Sequence, residues 1–128
     1  MNHLKMIATA HDTAILFNHK DGTAKLVPYD GELDTLLGLL DVDLVDTIRL
    51  DREHLVFVDD EGFYKQYQTG FLLTYKKREV KFVGSGLLVG DDHGSNAALN
   101  LGFGDLKIDV LKLTYETREE TTGEEEGV

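Results

Sequence analysis

The sequence predicts an α+β fold, with a small, mainly antiparallel sheet and one or two helices packed on one of its faces. Most of the chain consists of short β-like runs, and Gly, Asp and Asn separate these runs in the manner of tight turns. One segment instead places leucines at helical spacing. The 128 residues suffice for one domain, and no run approaches the roughly 20 apolar residues that span a bilayer.

The N-terminal part predicts strands at 6–10 and 13–17 and a returning strand at 23–29. A turn ending in Asp-Gly joins the last two strands, and Asp-Gly is a strong signal for a short hairpin loop. Pro28 has no N–H to donate to a neighbouring strand. It therefore predicts that the returning strand ends there or lies at a sheet edge.

A helix is predicted next, beginning at Asp30 or Gly31. Its apolar residues recur at i, i+3, i+4 and i+7 and therefore share one face. They are Leu33, Leu36, Leu37 and Leu40. Strands at 42–50 and 55–59 then form a predicted hairpin through the loop at 51–53.

Two later segments leave helix and strand open. In 63–75 the aromatic residues fit helical spacing but Gly70 interrupts it, which favours a loop with a short helix. In 105–116 an alternation with a phase shift favours a last strand at 107–117, with a helix as the alternative. The polar segment 96–105 between them is predicted to be a loop.

The stretch 78–94 is the most informative part of the chain. A strand at 79–82 is followed by a glycine-marked break and by a second strand at 87–89, whose residues are all apolar. Such a strand is expected to be buried on both faces. An acidic loop follows, in which carboxylate, imidazole, hydroxyl and amide groups are crowded together. These groups belong to Asp91, Asp92, His93, Ser95 and Asn96.

Asp91, Asp92 and His93 form the first candidate site. Adjacent carboxylates suit hard cations and imidazole suits zinc, so a metal-dependent hydrolase would be centred here, and a small ligand would be bound by the same three residues. The alternative is a polar connection in which the acids accept backbone hydrogen bonds. The other histidines lack a recognised ligand spacing and cysteine is absent. We therefore predict no tight zinc site, and no metal or cofactor is assigned.

The net charge of −11 is unevenly distributed. Residues 116–128 hold six glutamates and one arginine and lack large apolar residues until the last position, which predicts an acidic, disordered tail behind a single α+β domain at 1–115. Residues 30–61 hold eleven acids against two arginines, whereas 62–90 are mainly basic. Double-stranded nucleic acid is excluded as a general partner because its phosphates would be repelled.

The basic segment contains the second candidate site. Lys76, Lys77, Arg78 and Lys81 supply positive charge and Tyr75 supplies a stacking face, which together suit a small anionic ligand such as a nucleotide. The alternative is a solvated stretch of strand flanked by half-buried tyrosines.

The acidic segment contains the third candidate site, a surface for a protein partner. The expected interaction residues are grouped acids that would attract a basic surface. They are Asp41, Asp43, Asp46, Asp59 and Asp60.

The chain resembles a family of short bacteriophage and Gram-positive bacterial proteins that is known as a domain of unknown function. The matching parts lie within 24–100: Val27-Pro28-Tyr29 before the leucine helix, the hairpin at 45–58, and the run Gly-x-Gly-Leu-Leu-Val-Gly-Asp-Asp-His-Gly at 84–94. The resemblance implies a phage or mobile-element context, in which small acidic proteins commonly act by binding a host component. It carries over no catalytic residue.

These observations predict a non-catalytic binding protein of phage type that acts on a host protein as an accessory or inhibitor, anti-defence action included. A nucleotide binder or sponge and a metal-dependent hydrolase are the alternatives. Without cysteines, and without an apolar run behind its first residues, the chain is expected in the cytoplasm, that of the host if phage-encoded. No membrane partner is expected, and self-association is left open.

Overall fold

The structure, a computed structural model, describes residues 13–92, 95–97 and 99–115. The strand expected at 6–10, the tail at 116–128 and His93 lie outside the described residues, and the side chains of Ser95 and Asn96 are not described either.

The described elements are nine strands, two α-helices and one 3-10 helix. The strands are β1 (Thr13–Asn18), β2 (Thr23–Pro28), β3 (Val45–Arg49), β4 (His54–Asp59), β5 (Thr69–Tyr75), β6 (Arg78–Val83), β7 (Gly86–Asp92), β8 (Ser95–Ala97) and β9 (Lys107–Lys112). The helices are α1 (Leu33–Leu40) and α2 (Gly62–Lys65), and the 3-10 turn is Phe103–Asp105.

The strands form two antiparallel sheets. The larger has the order β2-β1-β7-β4-β3, with β8 paired to the far end of β7, and the smaller has the order β6-β5-β9. The α+β class is thereby confirmed, with its strands divided between two sheets. β2 lies at an edge of the larger sheet, where the missing N–H of Pro28 interrupts no inner ladder.

The larger sheet is the middle of three layers. One face packs on the smaller sheet through an aromatic and aliphatic cluster that includes Phe17, Val56, Phe71, Phe82 and Leu88. The opposite face is covered by α1. The helix begins later than predicted, so that Leu36 and Leu40 are buried while Leu33 remains 59% exposed.

Strand β7 is the centre of this arrangement. It pairs with β1 and β4 along its length, and residues Gly86 to Gly90 are all buried. The prediction that 87–89 is a strand buried on both faces is confirmed.

The ambiguous segment 63–75 contains the short helix that was favoured, but its second half is strand β5 and not a loop. Phe71, Leu73 and Tyr75 point alternately into the space between the sheets, and this period-two burial overrides the helical spacing of the aromatics. The alternative of a helix in the segment 105–116 is wrong, because residues 107–112 pair with β5 as β9.

The glycines of the 84–86 run are required by close packing. Gly84 has φ +76°, and a Cβ built there would lie 2.7 Å from the ring of Tyr67. A Cβ on Gly86 would lie 2.5 Å from the ring of Phe82. The run therefore marks a place where aromatic rings rest directly on backbone.

Candidate functional site

The fold brings the two most acidic loops together at the end of the larger sheet where β4 ends and β3 begins. The backbone N–H of Asp60 donates to the carbonyl of Leu44 at 3.0 Å, so the loop after α1 lies beside the turn after β4. Four of the predicted interaction residues are exposed here, and we call them the acidic edge. They are Asp41, Asp43, Asp46 and Asp60.

The acidic edge is only lightly neutralised. Lys20 approaches Asp41 at 3.7 Å, but both side chains are largely exposed, and an exposed pair of this kind contributes little. Asp46 Oδ1 accepts the N–H of Thr47 at 2.8 Å. The edge therefore presents a negative field at the surface.

Asp59, the fifth predicted residue, is not on this surface. Its carboxylate is 1% exposed, accepts the hydroxyl of Tyr67 at 2.6 Å and the N–H of Glu61 at 2.8 Å, and pairs with Lys65 at 2.9 Å. Burial opposes ionisation, but these bonds outweigh it and hold the pKa of Asp59 below its usual value. Burial, followed by the bond to Asp59, raises the pKa of Tyr67 to about 12. Through its ion pair with Lys65, Asp59 therefore holds α2 against the end of β4.

A mainly apolar groove of about 400 Å³ lies between the outer strand of each sheet, β3 and β6. We call it the β3–β6 groove. Its rim carries Asp46 and Asp60 on one side and Lys81 on the other. Its apolar lining is supplied by Ile48, Val58, Phe63, Phe82 and Val83.

Two aromatic side chains stand in solvent beside the groove. Phe63 is 91% exposed and Tyr64 is 86% exposed, both on α2. A phenylalanine side chain that stays in water lacks the about 1.5–3 kcal/mol of favourable free energy that full burial would provide. Sequence reasoning did not single out Phe63 or Ile48. The short predicted helix was the signal that could have identified Phe63. Adjacent residues of a single helical turn point in different directions, so Phe63 and Tyr64 cannot both pack on the same surface.

The basic cluster is dispersed by the fold. Lys76 and Lys77 form the two-residue turn between β5 and β6, with φ 49° and 72°. Arg78 starts β6 and is exposed, while Lys81 is on the rim of the β3–β6 groove. Tyr75 is only 7% exposed, and the ammonium of Lys76 lies 5.1 Å from its ring centroid. The ring of Tyr75 is thus largely covered.

The Asp91–Asp92 end of β7 borders a polar depression of about 450 Å³ that Arg49, Arg52 and Glu53 also line. Arg49 donates to Asp91 at 2.5 Å and to the carbonyls of Asp51 and Arg52 at 3.0 and 3.2 Å. The guanidinium of Arg49 therefore already serves as a counter-ion for the Asp91 carboxylate. Within the described residues, no three His, Asp or Glu side chains are grouped so as to hold a metal ion.

His54 is a buried imidazole beside this depression that sequence reasoning treated only as unsuitable for metal. Its Nε2 accepts the backbone N–H of Asn100 at 3.1 Å, which assigns the proton to Nδ1, 2.9 Å from Asp51 Oδ1. Both ring nitrogens are used within the fold. His54 therefore connects the start of β4 to the 99–101 segment and does not face solvent.

Comparisons with models of known families, with curated proteins and with solved structures found no match to this chain. The family resemblance stays a prediction. In the part of the chain that the structure describes, no helix has the length and apolarity needed to cross a membrane.

Proposed function

We propose that this chain is a non-catalytic domain that binds a protein partner through the acidic edge and the aromatics beside it, as a phage-type accessory or inhibitor of a host protein. The observation that carries the proposal is the pairing of exposed carboxylates with large exposed apolar side chains. Leu44, next to Asp43 in the chain, is 53% exposed, and Phe63, which lines the groove, follows Asp60 by one short turn. Protein interfaces commonly combine aromatic anchors with a charged rim.

The nucleotide alternative has less support. A nucleotide base needs an open ring face for stacking, and Tyr75 offers little. Lys76 and Lys77 form the turn before β6, whereas Lys81 is the fourth residue of that strand, so the positive charges are spread along the strand and not grouped at one point. The hydrolase alternative also has less support, because the best-buried carboxylate of its site is paired with Arg49.

The test is affinity capture from a lysate of the host cell with two charge-matched variants. Asp43→Lys/Asp60→Lys alters the acidic edge, and Glu79→Lys/Asp109→Lys makes the same charge change on the outer face of the smaller sheet. We expect a protein that the wild type and the second variant retain equally. The first variant should retain it at least about tenfold less, the loss that corresponds to ~1.4 kcal/mol.

Two results would overturn the proposal. One is a retained protein lost equally from both variants, which would show that only net charge matters. The other is micromolar binding of any nucleotide from a standard panel by calorimetry, lost on Lys77→Ala, because it would restore the small-anion alternative.

A further inference from the structure

The β3–β6 groove has a more specific geometry than a charged surface. β3 is the last strand of the larger sheet in the described order, so one side of its backbone is without a paired strand within the described residues. Such a row of amide and carbonyl groups is a template on which an extended segment can add as a new strand. The N–H of Thr47 in this strand donates to Asp46 Oδ1 at 2.8 Å, so an added strand has to replace this acceptor while its basic residue engages the Asp46 carboxylate.

The side chains of β3 determine what such a segment must carry. Asp46 pairs in register with Val58, and Ile48 with Val56, so both lie on the face that turns toward the smaller sheet and the groove. They are two residues apart. A strand added to β3 would therefore place its own residues opposite them at the same spacing.

A second copy of this chain fits the groove poorly. Edge-to-edge pairing would place Asp46 against another acidic surface, and Arg49, the basic residue of β3, lies on the opposite face in contact with Asp91. Charge at an edge strand commonly blocks self-association in this way. The same charge favours a segment that brings a Lys or Arg.

We propose that the β3–β6 groove binds an extended segment of the partner protein as an added strand, with a basic residue at Asp46 and an aromatic or large aliphatic residue against Ile48 and Phe63. This rests on the proposed function and names the kind of partner. An antiparallel segment reads apolar-x-basic and a parallel one basic-x-apolar. Lys81, on the β6 wall, keeps the basic residue on the β3 side.

Synthetic nonapeptides with Phe-Thr-Arg or Arg-Thr-Phe at the centre of a Thr-rich segment test this directly. The control peptides replace Phe with Ser or Arg with Glu. We expect one order to bind with a Kd of roughly 100 μM or tighter, and each control to bind at least about tenfold more weakly. Hydrogen exchange should slow on binding for the β3 amides that face away from β4, because strand addition pairs them.

Asp46→Lys is the decisive variant, because it should invert the preference so that the Glu peptide binds more tightly than the Arg peptide. Ile48→Thr, which keeps a β-branched residue at the edge, should abolish the advantage of Phe over Ser. Circular dichroism and the unfolding midpoint verify that each variant is folded. The inference is wrong if neither order exceeds its controls, or if the preference between Arg and Glu is the same in Asp46→Lys.

The outcome separates this inference from the proposed function. Should both peptides fail while lysate capture still depends on Asp43 and Asp60, the acidic edge binds a partner by another mode. Should capture be independent of the edge, the proposed function fails whatever the peptides do.

Discussion

Strands β7 and β3 belong to the same sheet, with only β4 between them, yet they differ in almost every physical respect. Leu87, Leu88 and Val89 are 0–3% exposed, whereas no residue of β3 is fully buried. β7 has apolar neighbours on both faces and the ring of Phe82 resting on Gly86. β3 carries charge and borders an open groove. The comparison teaches that β7 contributes mainly to stability, whereas the proposed binding surface lies on a strand that contributes little to the core.

Replacing one apolar side chain in each of the two strands with alanine should show this difference most strongly. Leu88→Ala removes a fully buried side chain from the middle layer and should cost about 3–4 kcal/mol of unfolding free energy. Ile48→Ala, at the half-buried edge, should cost about 1 kcal/mol because its site can collapse or admit water. Urea unfolding of both variants measures the difference. Equal costs would mean that the edge is covered in solution.

The glycine next to β7 gives a second large effect. Gly84→Ala forces a Cβ into the ring of Tyr67 at a positive φ, and we expect a loss of about 2–3 kcal/mol. Gly38→Ala is the matched control, because this helical glycine has open space at its Cβ and should gain about 0.5–1 kcal/mol. A Gly84→Ala variant as stable as the wild type would contradict the assigned role of Gly84.

Asp59, the last residue of β4, and Asp60, which follows it, show the same contrast between a buried and an exposed position. Asp59→Asn removes the charge that holds Tyr67 and Lys65, and should cost about 2 kcal/mol at neutral pH. Asp60→Asn should change stability by no more than about 0.5 kcal/mol, because the side chain is exposed. Thermal or urea unfolding of the two variants decides between them.

The pH dependence supplies an independent control. Because folding lowers the pKa of Asp59 from 3.8, its contribution is fully present above that pH and is lost as the pH falls through the lower folded-state value. The difference between wild type and Asp59→Asn should therefore shrink only in acid below about pH 4. A difference that shrinks between pH 6 and 8 would implicate another group.

The same contrasts explain what the sequence could and could not predict. Leu87-Leu88-Val89 was recognisable as a doubly buried strand because its consecutive residues, which point to opposite faces of a sheet, are all apolar. Asp59 and Asp60 are identical in type and adjacent, so their different environments depend on Tyr67 and Lys65, which only the fold brings near. The acids at 41–46 and 59–61 were grouped by composition, and the pairing of β3 with β4 makes that group spatial.

Strand β5 was only half predictable for a related reason. Its aromatics fit both a helical and an alternating spacing, and the turn that follows carries none of the usual Gly or Asn signals. Packing of Phe71 and Leu73 between the sheets makes this segment a strand, and the turn that follows is therefore formed by two lysines. Lys76 and Lys77 consequently adopt positive φ angles.

That turn provides the last and smallest effect, one of opposite sign. Lys77 has φ 72°, a region that disfavours a side chain with a Cβ and that glycine adopts readily. Lys77→Gly should therefore raise the free energy of unfolding by about 0.5–1 kcal/mol, whereas Lys25→Gly, at an exposed position of β2, should lower it by a similar amount. Urea unfolding resolves both shifts. If Lys77→Gly is destabilising, Lys77 makes stabilising contacts in the folded protein that exceed its backbone strain.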